Sequence, residues 1–142
     1  MEREKLAENI LVFFPLMFKK IMKDLPAAEI SRQNFGLLHL ISQNDCNTMS
    51  YYSKKIMLSK PNLTVMADKL IEEKLIERVY DPHDRRVIIL KMTDKGRIIL
   101  EEHKKKVKEI VIKKFELLND EEVKRLNEIV NEMKTILTVI TN

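Results

Sequence analysis

The chain has 142 residues, 44% hydrophobic and 34% charged, with a formal net charge of +4, two glycines, one cysteine and no tryptophan. This composition excludes a disordered segment, and so little glycine argues against a many-turned all-β fold and for long helices. A single cysteine, Cys46, excludes an intrachain disulfide and fits a reducing compartment. The basic excess is mild, but its placement is not uniform. Lys54, Lys55, Lys60, Arg85, Arg86, Lys91, Lys95 and Arg97 cluster in the middle third, as a phosphate-directed surface requires.

In chain order, Leu6, Ile10, Phe13, Phe14, Met17, Ile21 and Leu25 recur at helical steps and predict a helix over residues 4–25, kinked or split at Pro15. The N-terminal MEREKLAEN lacks the charge-then-apolar order of a secretory signal. The apolar run after it is too short for a bilayer, so a cytoplasmic location without membrane contact is expected. Pro26-Ala27-Ala28 marks a break. Ser31 is placed to cap a second helix with Phe35, Leu38 and Ile41 inward. Asn44-Asp45-Cys46-Asn47 reads as a polar turn.

Thr48 can cap a short third helix that turns Tyr52 and Ile56 inward. Ser59, followed by Pro61, caps a fourth with Leu63, Met66, Ala67 and Leu70 on its buried face. Two such helices joined by a brief turn predict a helix-turn-helix. Leu75–Tyr80 and Arg86–Met92 then read as strands around the charged tip Asp81-Pro82-His83-Asp84-Arg85-Arg86. Thr93-Asp94 opens a long helix striped by Ile99, His103, Val107, Ile110, Val111 and Phe115. Asn119 with Glu122 forms a capping-box signature before a last helix carrying Val123, Leu126, Val130, Met133, Leu137 and Ile140, a packing seam widened by Ile129 and Ile136.

A capped helix followed by a hairpin with arginines at its tip suits DNA: the helix enters the major groove and the hairpin reaches the neighbouring minor groove. On the fourth helix, Asn62 can pair with adenine or stand as an exposed polar residue. Thr64 can meet a thymine methyl or a phosphate, and Lys60 lies at the helix N-terminus where phosphate is favoured. Ser59 reads as a cap before a reader, and Lys54 and Lys55 as phosphate contacts or a solvated face. Lys91 reads as a solvated strand residue, with phosphate contact the alternative.

Together these elements resemble the MarR family of bacterial transcription regulators. The likeness is most specific in LIEEKLIERVYDPHDRRVIILKMTDKG, residues 70–96, with Glu77-Arg78, the Asp84-Arg85-Arg86 tip and the Met92-Thr93-Asp94-Lys95-Gly96 lead-in to the next helix. The resemblance implies a mainly α (α+β) fold in one domain: a winged helix-turn-helix lobe at 29–97, with long dimerisation helices at 1–28 and 98–142. It also implies a homodimer on a pseudo-palindromic site in double-stranded DNA, with half-sites roughly 10 bp apart. Arg86 takes the place of the minor-groove arginine and Asp84 orients it; the alternative is a simple hairpin-stabilising pair. Arg85 contacts phosphate or fills the groove itself, and Arg78 braces the wing from its base.

Two positions depart from the family pattern. Lys74 stands where a glycine usually relaxes a left-handed helix exit, at a strain of about 1 kcal/mol unless the chain leaves differently. Tyr52-Ser53 replaces the usual Leu-Ala, so a buried hydroxyl needs a partner or a route to solvent. Family members often bind small aromatic effectors, and Phe14, Met17, His39 and Tyr51 are candidate pocket residues, with ordinary core packing as the alternative for such residues.

His39, His83 and His103 share no ligand spacing, and no nucleophile or phosphate-loop motif occurs, so neither catalysis nor a cofactor is expected. Cys46 has no evident cation to activate it as a redox sensor. The expected function is a DNA-binding transcription regulator, a repressor released by a small-molecule or oxidative signal. The alternative is a protein-interaction module on a degenerate winged helix.

Overall fold

Local capping and apolar spacing place most of the helices. The computed structural model describes residues 1–25 and 30–141, so the expected break at Pro26-Ala27-Ala28 lies outside the described residues. The elements are α1 (Glu2–Glu8), a π-helical turn (Asn9–Phe13), α2 (Phe14–Ile21) and a 3₁₀ turn (Met22–Asp24). They continue with α3 (Arg32–Gln43), β1 (Asn47–Thr48), α4 (Met49–Ile56), α5 (Lys60–Glu72), β2 (Ile76–Tyr80), β3 (Ile88–Met92), α6 (Asp94–Phe115) and α7 (Asp120–Thr141). The split expected near Pro15 takes the form of the π turn. Proline has no N–H to return to the preceding turn, and wider hydrogen-bonded rings absorb the mismatch just before it.

Each predicted cap is made. Ser31 Oγ accepts from Asn34 N at 3.2 Å, Thr48 Oγ1 from Tyr51 N at 3.1 Å and Thr93 Oγ1 from Gly96 N at 3.0 Å. Asn119 and Glu122 exchange reciprocal bonds of 2.9 Å, a complete capping box.

The chain divides into two compact units, Met1–Leu25 with Val107–Asn142, and Pro26–Lys106. The second holds the core. Leu37, Leu38 and Ile41 of α3, Tyr52 of α4, Leu63, Ala67 and Leu70 of α5, and Leu90 of β3 are fully buried, joined by Leu75, Ile76 and Leu100. Each large side chain so buried contributes about 1.5–3 kcal/mol of hydrophobic stabilisation. His103 of α6 stacks on Phe35, ring centroids 3.5 Å apart and nearly parallel at 7°, and burial followed by the nearby Lys106 holds its imidazole below the ordinary value.

The sheet order is β1-β3-β2, all antiparallel, with Arg78 opposite Leu90 and Glu77 opposite Lys91. The polar turn ends one residue sooner than its sequence suggests, because Asn47 and Thr48 pair with Leu90 and Ile89. Asp45 fastens this corner: its Oδ1 accepts from Cys46 N and, 47 residues away, from Met92 N, both at 2.9 Å. The buried Tyr52 hydroxyl finds two partners, donating to Asn44 O and accepting from Asn47 N at 3.2 Å. Burial raises its pKa.

Lys74 takes the left-handed route, φ 60°. Lys74 N donates to Ile71 O and Leu75 N to Leu70 O, both at 2.9 Å, a Schellman ending with Leu70 and Leu75 buried together. Lys95 Nζ adds a bond to Glu73 O at 3.0 Å.

In the first unit, Met22 is the one buried residue among those described, and α7 has none. Lys114 Nζ lies 2.6 Å from Asp24 Oδ2 and holds that carboxyl below its ordinary pKa. Among the described residues no helix is long and apolar enough to cross a membrane.

Candidate nucleic-acid interface

Helices α4 and α5 and the β2–β3 hairpin all belong to the second unit. The turn between the helices is fixed by Met57 in a left-handed conformation at φ 58°, by Leu58 N donating to Ser53 O at 3.2 Å, and by the Ser53 hydroxyl donating to Leu58 O. Such a turn sets the angle at which α5 leaves α4.

Helix α5 starts with Ser59 Oγ accepting from Asn62 N at 3.4 Å and Pro61 in its first turn. Ser59 is therefore occupied as a cap. Lys60 and Asn62 are exposed, and neither side chain has a partner among the described residues. Thr64 Oγ1 donates back to Lys60 O at 2.8 Å, which spends the hydroxyl proton within the helix. On α4, Lys54 is exposed, while Lys55 Nζ sits 5.7 Å from the ring centroid of Tyr51.

The wing tip is a network of its own. Asp81 Oδ1 accepts from His83 N at 2.8 Å and Asp84 N at 3.2 Å, an Asx turn. Val87 N donates to Asp84 O at 3.0 Å. Asp84 takes both Arg86 Nε at 3.1 Å and Arg86 Nη2 at 3.2 Å, and also Arg86 N at 3.0 Å. This bidentate pair holds the Asp84 carboxyl below its ordinary pKa. Arg86 remains 92% exposed, so the pair orients the guanidinium without removing it from solvent. Arg85 is exposed and has no partner among the described residues.

At the base of the wing, Arg78 Nη2 donates to Asp68 Oδ1 of α5 at 2.7 Å. Lys91 Nζ lies 3.9 Å from its cross-strand neighbour Glu77. Sequence reasoning missed Asp68, whose partner is ten residues away and carries no local signal. It also missed the role of Asp81, which the Asp-Pro pair announces.

Of the candidate effector residues, Phe14 and Met17 lie on α2 in the first unit, and His39 and Tyr51 on α3 and α4 in the second. Met17 lines an apolar groove with Phe13, Leu16, Lys20 and Ile21. Tyr51 meets Tyr52 edge to face at 5.4 Å, and His39 Nδ1 is buried with no hydrogen-bond partner among the described residues.

The model of the family described as transcriptional regulator SarA/Rot matches residues 17–110, which span α4, α5 and the wing. The chain is 34% identical over 106 residues to the HTH-type transcriptional regulator YsmB of Bacillus subtilis, covering 72% of each protein. It is 26% identical over 124 residues to the transcriptional repressor MdtR of the same organism, covering 84% of this chain and 80% of MdtR. A MarR family protein from Bacillus stearothermophilus shares the fold, with a TM-score of 0.67, 23% identity, and 96% of this chain and 94% of that one covered. A capped helix α5, an arginine wing held by Asp84 and these relatives converge: the chain belongs to the SarA/Rot family of transcriptional regulators and is a DNA-binding regulator.

Proposed function

We propose that the protein is a homodimeric repressor that binds a pseudo-palindromic operator through α5 in the major groove and the Asp84-Arg85-Arg86 wing in the minor groove. The observation that carries this reading is the wing tip: a fully solvated arginine held in one orientation by a bidentate carboxylate. A surface ion pair adds only about 0–1 kcal/mol to stability, so its geometry serves presentation better than folding. Lys60, Asn62 and Lys54 supply further groups for phosphate and base edges, and Arg85 for phosphate. Arg78 braces the wing on Asp68.

Dimerisation is supported by the apolar surface of the first unit. Leu11 is 74% exposed, Ile136 63% and Val139 84%, a state that a second copy relieves. Release by a small aromatic molecule is supported by the groove along α2 that includes Met17, and release by oxidation by the exposed thiol of Cys46. The cytoplasm is the compartment where such a regulator meets DNA.

Binding to duplexes selected from random sequence, measured across a salt series, tests the proposal. Arg86→Ala is expected to cost about 1–3 kcal/mol and to relax an A·T preference at the wing position. Sedimentation equilibrium is expected to give a dimer. A monomer that retains no duplex at low ionic strength would leave the winged lobe as a protein-interaction module.

A further inference from the structure

The surface of α5 carries one residue that neither its core nor its caps explain. Val65 is 71% exposed in the middle of the helix, between Leu63 and Met66, which are buried. A β-branched side chain there is a poor helix former and contributes nothing to the core. Its neighbours on the outer face are polar, charged or already engaged. Thr64 has given its hydroxyl proton to Lys60 O, so that only its methyl is left for an apolar contact, and Asp68 is held by Arg78. Asn62 and Lys69, three residues before and four after Val65, flank it on the same helical face and are exposed. That face therefore presents an amide, an isopropyl group and an ammonium in sequence.

We infer that Val65 is a specificity-determining residue that reads the 5-methyl group of a thymine in each half-site. The inference rests on the proposed entry of α5 into the major groove. In that groove the thymine methyl is the one apolar feature of a base edge, and an aliphatic side chain is its natural partner. Asn62 and Lys69 on either side suit polar base edges and phosphate, which confines the apolar contact to the position between them.

The test replaces each thymine of a selected operator in turn by deoxyuridine, which keeps every hydrogen-bonding group and removes only the methyl. For the wild-type protein, affinity is expected to fall roughly three- to tenfold at one position per half-site, the effect of losing about one buried methyl. Val65→Ala is expected to bind the unmodified operator more weakly by a similar factor and to be indifferent to deoxyuridine at that position. Val65 is exposed and alanine is the better helix former, so the variant should keep the wild-type helical signal and melt no lower than wild type. Wild-type binding indifferent to every methyl removal overturns the assignment while leaving operator binding intact. So does a Val65→Ala variant that keeps the full deoxyuridine penalty. Failure of the wild-type protein to bind any duplex overturns the underlying DNA reading and this assignment with it.

Discussion

The two units of the molecule solve the problem of burial differently. Residues 26–106 close over a core in which Leu37, Leu38, Ile41, Leu63, Leu70 and Leu90 are wholly withdrawn from water. In the unit of residues 1–25 and 107–142, Met22 alone is buried among the described residues, although its helices carry long apolar stripes. The difference teaches that apolar periodicity alone does not make a core. In the lobe, strands and short helices approach from several directions and seal one another. The stripe of α7 instead shows Leu126 at 39%, Val130 at 40% and Ile140 at 77% exposure.

The strongest way to break this contrast is to spoil the seal of the lobe. A Cβ on Gly96 would stand 1.9 Å from Leu75 O and 2.9 Å from Met92 Sδ. The first contact is with backbone and has no easy relief. Gly96→Ala is therefore expected to destabilise the lobe on the order of 3 kcal/mol, read by denaturant unfolding. Gly36, on the exposed side of α3, meets nothing within 4 Å, and alanine there is the matched control.

A smaller change sharpens the contrast in the opposite direction. Lys74→Gly removes the left-handed strain at the end of α5 while keeping both hydrogen bonds of the Schellman ending, which are made by the main chain. It should stabilise the lobe by about 1 kcal/mol, visible as a raised melting temperature. An unchanged or lowered melting point would show that the strain is relieved elsewhere.

The smallest effect is a pH slope. His103, packed on Phe35, is held below its ordinary pKa, so the folded lobe favours the neutral ring. As pH falls past about 6.5 the unfolded chain takes up a proton that the folded chain still refuses, and stability declines toward the lower folded pKa. His103→Phe keeps the stack and should flatten that decline. Parallel melting curves for the two proteins between roughly pH 7 and 5 would count against it.

Features governed by neighbours in sequence were legible. Ser31, Thr48, Ser59 and the Asn119–Glu122 box act within one helical turn, so residue type and spacing suffice. The buried face of α5 followed from its period. What escaped was set across the chain. Two residues, Asn47 and Thr48, are too few to show alternation, and they form a strand because β3 offers an open edge. Cys46 and Met57 adopt left-handed conformations without being glycine or asparagine, held by bonds at Asp45 and Ser53. Within the candidate interface, the Asp84–Arg86 pair is written two residues apart, but the Thr64 hydroxyl turning back into its helix and the Asp68–Arg78 bond are set only by the folded chain.

The Leu75 carbonyl, three residues past the end of α5, ties that helix exit to Thr93, the residue before α6. It accepts from Thr93 N at 3.1 Å, one residue after Met92 ends its strand, and shares the Thr93 hydroxyl proton, at 3.0 Å, with Lys74 O at 2.7 Å. Sliding the start of α6 against the exit of α5 would have to rupture the Thr93 N bond and the shared hydroxyl contact together, so these two helix ends are expected to shift as one piece.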